Sequence, residues 1–403
     1  MTGLSRREAW IVALAATLTM TVSYIDRATF GVLAPTVTKD LGISEAAYGW
    51  LQSAFNLAYL VATPIAGWWI DRIGARRGLV GSVIAWSIVA ALHALVPAFG
   101  VLLALRIALG LAEGPSFPGA AQTVQRALPP ADRSRGFGVL FTGSSIGGML
   151  VPPLAAWLFG IGGWRVAFLG TAIVGLLWVP MWLAITGRPA ARAKLDAAPD
   201  VIAQPRPPFL AIARHPLMVR ALLAIFAIAP AVGLYNQWGS KYLVRAFSIA
   251  QQDVGHFLWF PPLAFDVGAI VFGDLGSRLR RAEGVPPRVL LAIAAAMCAC
   301  VALLPMALGP WDGMVIFAIS MAGGGGVYTL VTADLLGRLP PGCVSLAGGT
   351  LAGAQSLALI ITNPLIGSAV DTYASYDQVA YMLGAWVVPG ALAWLAWPPA
   401  PYR

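Results

Sequence analysis

Apolar residues recur along the whole chain in runs long enough to form membrane-spanning helices. A helix needs about 20 mainly apolar residues to cross the hydrocarbon core of a bilayer. Short polar, glycine- or proline-bearing segments separate the runs, which lie near residues 9–29, 47–70, 79–97, 100–122, 135–158, 164–187, 218–244, 251–275, 287–308, 312–334, 342–370 and 377–399. The pattern therefore predicts an all-α membrane protein with twelve transmembrane helices.

A polar, Pro- and Ala-rich stretch separates the first six runs from the last six. We expect residues 188–217 to be a cytoplasmic linker between a six-helix bundle at 1–187 and a second bundle at 218–403. The segment 273–281 repeats, in degenerate form, the segment that follows the second run. This echo predicts two six-helix pseudo-repeats, an architecture that is typical of transporters.

Composition and charge narrow the class of protein. With 59% hydrophobic and 11% charged residues, the chain has too little polar surface for a soluble protein. The net charge of +9 could suggest nucleic-acid binding, but the 26 Lys and Arg residues follow the positive-inside rule. The exceptions are Arg27 and Arg106 within predicted helices, and Lys39, Arg165, Lys241 and Arg245 on the opposite side. We therefore expect a multi-pass membrane protein with both termini cytoplasmic and no nucleic-acid partner.

The sequence offers little equipment for catalysis or metal binding. The cysteines and histidines are scattered in or beside the predicted helices and lack metal-site spacing; they are Cys298, Cys300, Cys343, His93, His215 and His256. We expect a protein that is not an enzyme and has no metal or organic cofactor. The first run lacks a small, neutral cleavage site, so no cleavable signal peptide is expected.

Two charges interrupt the fourth apolar run. Arg106 and Glu113 are about two helical turns apart and lie on nearly the same face. Charged side chains at membrane depth are costly unless they are paired or face a wet cavity, which makes them candidates for function. Considered without the rest of the chain, the two residues suggest a pair that binds a ligand.

A second charged pair, Asp26 and Arg27, lies late in the first run beside Tyr24. On a helix these adjacent side chains point about 100° apart, so both could line one cavity. The alternative is that they cap the helix at the membrane interface, where charge is tolerated.

The second run has a polar stripe that includes Tyr59, and it ends in a segment rich in glycine and charge. Glycines in that segment permit a tight turn and close helix approach, and its charges can pair in one conformation and separate in another. We expect a gating loop built on Gly67, Asp71, Arg72, Gly74 and Arg76.

Further polar residues at membrane depth are candidates for contact with a ligand, although hydrogen bonds between helices explain them equally well. They are Ser144, Ser145, Tyr235, Asn236, Gln237 and Gln355. A carboxyl group, that of Asp266, also lies deep in the eighth predicted span. Asp266 would be neutral, paired or hydrated.

The chain resembles the major facilitator superfamily, and within it the hexuronate and sugar-acid branch of the anion:cation symporter family. The resemblance is carried by Tyr24-Ile-Asp-Arg27, by the pattern Gly-x-x-x-Asp-Arg-x-Gly-x-Arg-Arg that starts at Gly67, and by Arg106-x-Ala-Leu-Gly-Leu-Ala-Glu113. Trp164-Arg165 and the segment 264–268 add to it. The first half matches densely and the last two predicted helices loosely.

The resemblance implies a function and roles for particular residues. Arg27 would receive a substrate carboxylate, with Tyr24 and Tyr59 beside it. Asp26 and Glu113 would carry protons, Arg106 would tune Glu113, and Asp266 is a further candidate for proton coupling. We expect a monomeric symporter that imports an organic anion with protons; the alternative is a proton-coupled exporter, or an anion exchanger for another carboxylate or an amphipathic metabolite.

Overall fold

The computed structural model describes residues 4–196, 209–279, 287–339 and 344–397, and every regular element within these ranges is a helix. The first helices are α1 (Arg6–Asp40), α2 (Glu45–Ile73), α3 (Ala75–Leu92), α4 (Phe99–Glu113), α5 (Ser116–Ala127), α6 (Pro130–Thr186) and α7 (Pro189–Leu195). They are followed by α8 (Phe209–Ala213), α9 (Pro216–Gly233), α10 (Gly239–Phe247), α11 (Val254–Leu258), α12 (Pro261–Arg278), α13 (Arg288–Ala299), α14 (Pro310–Leu336), α15 (Val344–Tyr373) and α16 (Asp377–Ala396).

Three irregular helical turns extend or join these elements. Short 3₁₀ turns, His93–Leu95 and Cys300–Met306, continue α3 and α13, and a π-helical stretch, Leu234–Trp238, joins α9 to α10. The predicted linker contains α7 and α8, while its residues 197–208 lie outside the described part of the chain, as do Arg280, Arg281 and Cys343.

Ten helical segments in the described ranges are long and apolar enough to cross a membrane. One of them, α6, is 57 residues long and leaves helical geometry at Gly162 and Gly163, where Gly163 has a φ of 76°. This break separates the fifth and sixth predicted spans. The 29-residue helix α2 covers the second predicted span but is not among the ten. The count of twelve spans stays a prediction.

Helix α1 is longer than the pattern predicts. It begins with a capping box, in which Ser5 Oγ accepts from the Glu8 N–H and the Glu8 carboxylate accepts from the Ser5 N–H. It continues through Pro35 to Asp40. Asp26 and Arg27 therefore lie in the interior of a 35-residue helix and do not cap its end.

Two predicted spans contain a break between two helices. The run at 100–122 is divided between α4 and α5 at Gly114 and Pro115, and the run at 251–275 between α11 and α12, which begins at Pro261. Proline lacks an N–H and suits the first turn of a helix, so these prolines mark new starts. The apolar pattern continues across both breaks and cannot reveal them.

The chain divides into two compact units. The first comprises Met1–Ile43, Leu51–Asp200 and Ile249–Trp259, and the second comprises Ser44–Trp50, Val201–Ser248 and Phe260–Arg403. The two short segments Ser44–Trp50 and Ile249–Trp259 thus each belong to the unit formed mostly by the other half of the sequence. The predicted domain division at residues 188–217 stays a prediction.

In the first unit, α1 packs closely against α6. A Cβ atom added at Gly143 or Gly147 would lie 2.5 Å from the carbonyl oxygen of Thr17 or Thr21, respectively. Glycines spaced by four residues therefore bring the backbones of the two helices together. The aromatic core of this unit includes Trp86.

In the second unit, α14 packs against α12 and α13 through a run of four glycines that begins at Gly323. A Cβ atom at Gly323 would lie 2.3 Å from the backbone nitrogen of Cys298, and one at Gly325 would lie 2.1 Å from the carbonyl oxygen of Phe265. Any larger side chain at these two positions would force the helices apart.

The first turn of α2 is bound within the second unit by charge. The Glu45 carboxylate lies 2.8 Å from Lys241 Nζ and 3.6 Å from Arg245 Nη1. The Asp371 carboxylate accepts from the backbone N–H groups of Glu45 and Ala46, at 3.1 and 2.8 Å. The Lys241 side chain is only 6% exposed. Glu45 therefore neutralises a buried ammonium group, while Asp371 satisfies the free N–H groups at the start of a helix.

Candidate functional site

The centre of the candidate site is an ion pair between α1 and α4. Arg27 donates through Nη2 and Nε to one oxygen of Glu113, at 2.8 and 3.0 Å, and Ser23 Oγ donates to the same oxygen at 3.0 Å. The Glu113 side chain is fully buried, while that of Arg27 is 21% exposed. The guanidinium group is thus the accessible partner of a carboxylate that has no contact with solvent.

Aromatic rings surround the Arg27 guanidinium group. Its central carbon lies 4.4 Å from the ring centroid of Tyr59, 4.9 Å from Tyr24 and 5.0 Å from Phe55. These distances are within the range of cation–π attraction, which stabilises a desolvated cation. Both tyrosines are predicted from the sequence, whereas Phe55 is not, although it precedes Tyr59 by one helical turn on α2. That spacing was the available signal.

Arg106 is also buried, but its contacts differ from those predicted. Its guanidinium carbon lies 4.7 Å from the ring centroids of both Phe30 and Phe55, and its Nη2 donates to Gln52 Oε1 at 3.2 Å. The ion pair of Glu113 is with Arg27. Charge on Arg106 can still act on Glu113 through space, and its predicted tuning role stays a prediction.

Asp26 does not take part in this ion pair. It is 2% exposed, and its Oδ2 lies 3.1 Å from the point that a Cβ atom would occupy at Gly175 of α6. Within the described ranges, neither carboxyl oxygen of Asp26 has a hydrogen-bond partner. The neighbouring residues Asp26 and Arg27 therefore contact different helices of the first unit, and the expectation that both line one cavity stays a prediction.

The two candidate serines of α6 are half-buried. Ser144 Oγ donates to the carbonyl oxygen of Phe141 at 2.8 Å, within its own helix, and the residue lies beside Tyr24. Gly147, one turn further on, is where α6 meets the backbone of α1. Ser144 therefore borders the aromatic rings around Arg27. The predicted substrate contacts of Ser144 and Ser145 stay predictions.

The predicted gating loop is held by a glutamine of α5. Gln122 Nε2 donates to Asp71 at 2.7 Å, and its Oε1 accepts from the backbone N–H of Ala75 at 3.0 Å. Between them, Gly74 has a φ of 83°, a conformation that favours glycine. One side chain thus fixes the end of α2 to the start of α3.

The arginines of this loop make further contacts. Arg76 Nε donates to the carbonyl oxygen of Thr186 at 3.1 Å, and Arg76 Nη1 lies 3.9 Å from Asp196. The Arg72 guanidinium group stacks over Trp68 at 3.8 Å. A Cβ atom at Gly67 would have open space around it. The loop is therefore tied to the end of α6 and to the residue that follows α7.

The predicted polar residues of the second unit lie in three helical segments. Tyr235, Asn236 and Gln237 occupy the π-helical stretch, where Tyr235 is buried with its ring edge-on to Phe317 and Asn236 is exposed. The Gln237 carbonyl oxygen accepts from Tyr48. The remaining predicted positions, Asp266 of α12 and Gln355 of α15, are half-buried. The proposed ligand and proton roles of these residues stay predictions.

Comparison with known families identifies the chain. The sequence model of the Major Facilitator Superfamily matches residues 16–363. The chain belongs to the Major Facilitator Superfamily. It is therefore a multi-pass, all-helical membrane transport protein, and the family resemblance drawn from the sequence motifs is confirmed. Within the described ranges, no group of three His, Cys, Asp or Glu residues could hold a metal ion.

Known members of the superfamily align with almost the entire chain. It is 25% identical to the hexuronate transporter of Escherichia coli K12 over 402 residues, which cover 95% of this chain and 92% of that protein. It is 24% identical to the D-galactonate transporter of Escherichia coli O6:H1, covering 96% and 95%. The crystal structure of a bacterial homologue of the human lysosomal transporter Spinster has the same fold, with a TM-score of 0.78 at 18% identity over 98% of this chain and 100% of that one.

Proposed function

We propose that this member of the superfamily is a proton-coupled symporter that imports a sugar acid, of the hexuronate or aldonate class, by alternating access. It would act in a bacterial inner membrane, as a monomer, with both termini in the cytoplasm. The similarity to a hexuronate and a galactonate transporter supports this substrate class. Such substrates carry a carboxylate and several hydroxyl groups.

The observation that carries the proposal is the ion pair of Arg27 with buried Glu113. An incoming carboxylate would use the same guanidinium donors, because Arg27 is the accessible partner and its planar fork suits carboxylates. Glu113 would then be a buried carboxylate without its cation, an arrangement that is costly unless the group takes up a proton. Substrate binding and protonation of Glu113 would therefore favour each other.

The aromatic rings support binding of a sugar acid rather than a bare carboxylate. Tyr24 and Tyr59 flank the guanidinium group, and each has a phenolic hydroxyl that can donate to or accept from a sugar hydroxyl. A few directed polar groups in an otherwise apolar pocket are typical of small-molecule sites.

Asp26 is the second carboxyl that we assign to proton transport. It is buried and lacks an ion pair among the described residues, so a proton is the natural means of neutralising it. The inside-negative membrane potential would favour import when more protons than substrate charges move. The contacts of Asp71 and Gln122 would stabilise one conformation of the gating loop.

Uptake of radiolabelled glucuronate, galacturonate and galactonate into proteoliposomes under an imposed inward proton gradient would test the proposal. We expect accumulation of at least one of these anions, and its loss when a protonophore is added. Glu113→Gln should abolish accumulation while retaining counterflow exchange, and Arg27→Ala should abolish both. Asp377→Asn, at the exposed start of α16, is the control and should behave like the parent protein. Normal gradient-driven accumulation by Glu113→Gln, or movement of none of the three anions, would contradict symport.

A further inference from the structure

Helices α1, α3 and α6 meet around the Asp26 carboxyl group, and α3 contributes two polar side chains there. Ser87 of α3 is fully buried, and a Cβ atom added at Gly175 of α6 would lie 2.3 Å from its Oγ and 3.1 Å from Asp26 Oδ2. The Ser87 hydroxyl and the Asp26 carboxyl group therefore face the same small space, which exists because residue 175 has no side chain.

A second donor approaches the same carboxyl group. Trp86, also of α3, is fully buried, and its indole N–H lies close to Asp26 without reaching hydrogen-bond geometry. Within the described ranges, Trp86 Nε1, Ser87 Oγ and both Asp26 oxygens have no hydrogen-bond partner. Buried polar groups are rarely left unpaired, so such a group of neighbouring atoms requires an explanation.

The chemistry of the two α3 side chains supplies the explanation. An indole N–H only donates, and a serine hydroxyl can donate, whereas an ionised carboxylate only accepts. Donors directed at a carboxylate stabilise its charged form. The charged group on another helix that acts on Asp26 is Glu113 of α4, which is itself paired with Arg27.

We infer that Trp86 and Ser87 are positioning residues that stabilise Asp26 after it releases its proton, and that Gly175 keeps the space in which they do so. The inference rests on the proposed function, because it assumes that Asp26 carries a proton. An indole N–H directed into this space also disfavours a metal cation, so the site is suited to a proton and not to Na⁺.

The test is the pH dependence of gradient-driven sugar-acid uptake in proteoliposomes. Ser87→Ala and Trp86→Phe each remove one donor, so Asp26 would keep its proton to higher pH. We expect the midpoint of the alkaline limb to rise by about one pH unit in each variant, which corresponds to a tenfold change in proton concentration. Counterflow exchange at a fixed pH reports whether the variants are folded and bind substrate.

Matched substitutions separate this role from simple packing. Gly175→Ala should displace the Ser87 hydroxyl and move the midpoint in the same direction. Ser82→Ala, which alters another buried serine of α3, and Gly160→Ala, which adds a methyl group in open space on α6, should leave the profile unchanged. Replacing Na⁺ with choline should not change uptake by any variant.

The outcomes distinguish this inference from the proposed function. If Ser87→Ala and Trp86→Phe lower the rate but keep the parent pH profile, the two residues only support the packing and the inference is wrong. A requirement of uptake for Na⁺ would also contradict the inference. If Asp26→Asn accumulates substrate normally under the proton gradient, Asp26 is not a proton carrier and that part of the proposed function fails.

Discussion

Replacing Glu45 with Gln removes the negative charge that neutralises Lys241 in the second unit. The carboxylate lies 2.8 Å from the ammonium group, and the side chains of the two residues are 17% and 6% exposed. Lysine would then remain in a site that excludes water, with a neutral amide as its neighbour. The resulting loss of stability should be much greater than the loss caused by breaking an ion pair at the surface.

The expected magnitude follows from burial. Removing one partner of a fully buried ion pair costs about 3–5 kcal/mol, and partial exposure of Glu45 places this case lower, at about 2–3 kcal/mol. For units of this size, that corresponds to a fall in the unfolding temperature of about 4–12 °C. The control is Asp274→Asn, which breaks a pair with Arg278 at the same 2.8 Å distance but with side chains 51% and 73% exposed. Its expected loss is about 0–1 kcal/mol.

Thermal unfolding of the purified protein, followed by tryptophan fluorescence, would measure the difference. The double variant Glu45→Gln/Lys241→Met removes both charges, so it should be more stable than the sum of the two single changes predicts. Two results would refute the reasoning that the buried ammonium group causes the loss of stability. One is an equal fall in unfolding temperature for Glu45→Gln and Asp274→Asn, and the other is strict additivity of the stability changes in the double variant.

Three further predictions concern glycines and the binding arginine. Gly147→Ala places a methyl group 2.5 Å from a backbone oxygen of α1 and should destabilise the protein by about 1–3 kcal/mol, whereas Gly138→Ala, in open space, should show no such loss in thermal unfolding. Gly74→Ala should cost about 1–3 kcal/mol because of its φ of 83°, while Gly67→Ala in the same loop should be tolerated; equal unfolding temperatures for the two variants would count against the loop geometry. Arg27→Lys keeps the charge but loses the planar fork, so KM for the sugar acid should rise about tenfold, and an unchanged KM would show that the fork is not used.

The sequence predicts the class of fold well because apolar runs and the positive-inside bias are properties of the chain itself. It also identifies Asp26, Arg27, Arg106 and Glu113, since charge within an apolar run is visible without coordinates. It does not reveal which arginine pairs with Glu113, because α1 and α4 are brought together by tertiary packing.

Helix ends are a second limit of sequence reasoning. The extension of α1 to Asp40 changes the position of Asp26 and Arg27 from a helix end to a helix interior. The residues after position 29 include threonines and a proline, which weaken the apolar pattern without stopping the helix. Packing of α1 against α6 outweighs these local preferences.

The π-helical stretch Leu234–Trp238 sets the direction in which Lys241 points. A π turn holds one residue more than an α turn, and one residue corresponds to a rotation of about 100° and a rise of about 1.5 Å. If the same residues formed a regular α-helix, the ammonium group would turn away from Glu45 by that angle. The pairing of these two charges therefore depends on the π geometry between Pro230 and Lys241 as much as on the identity of the residues, and a change that converts this stretch to regular α-helix without removing a residue would act on the ion pair as strongly as a substitution of either partner.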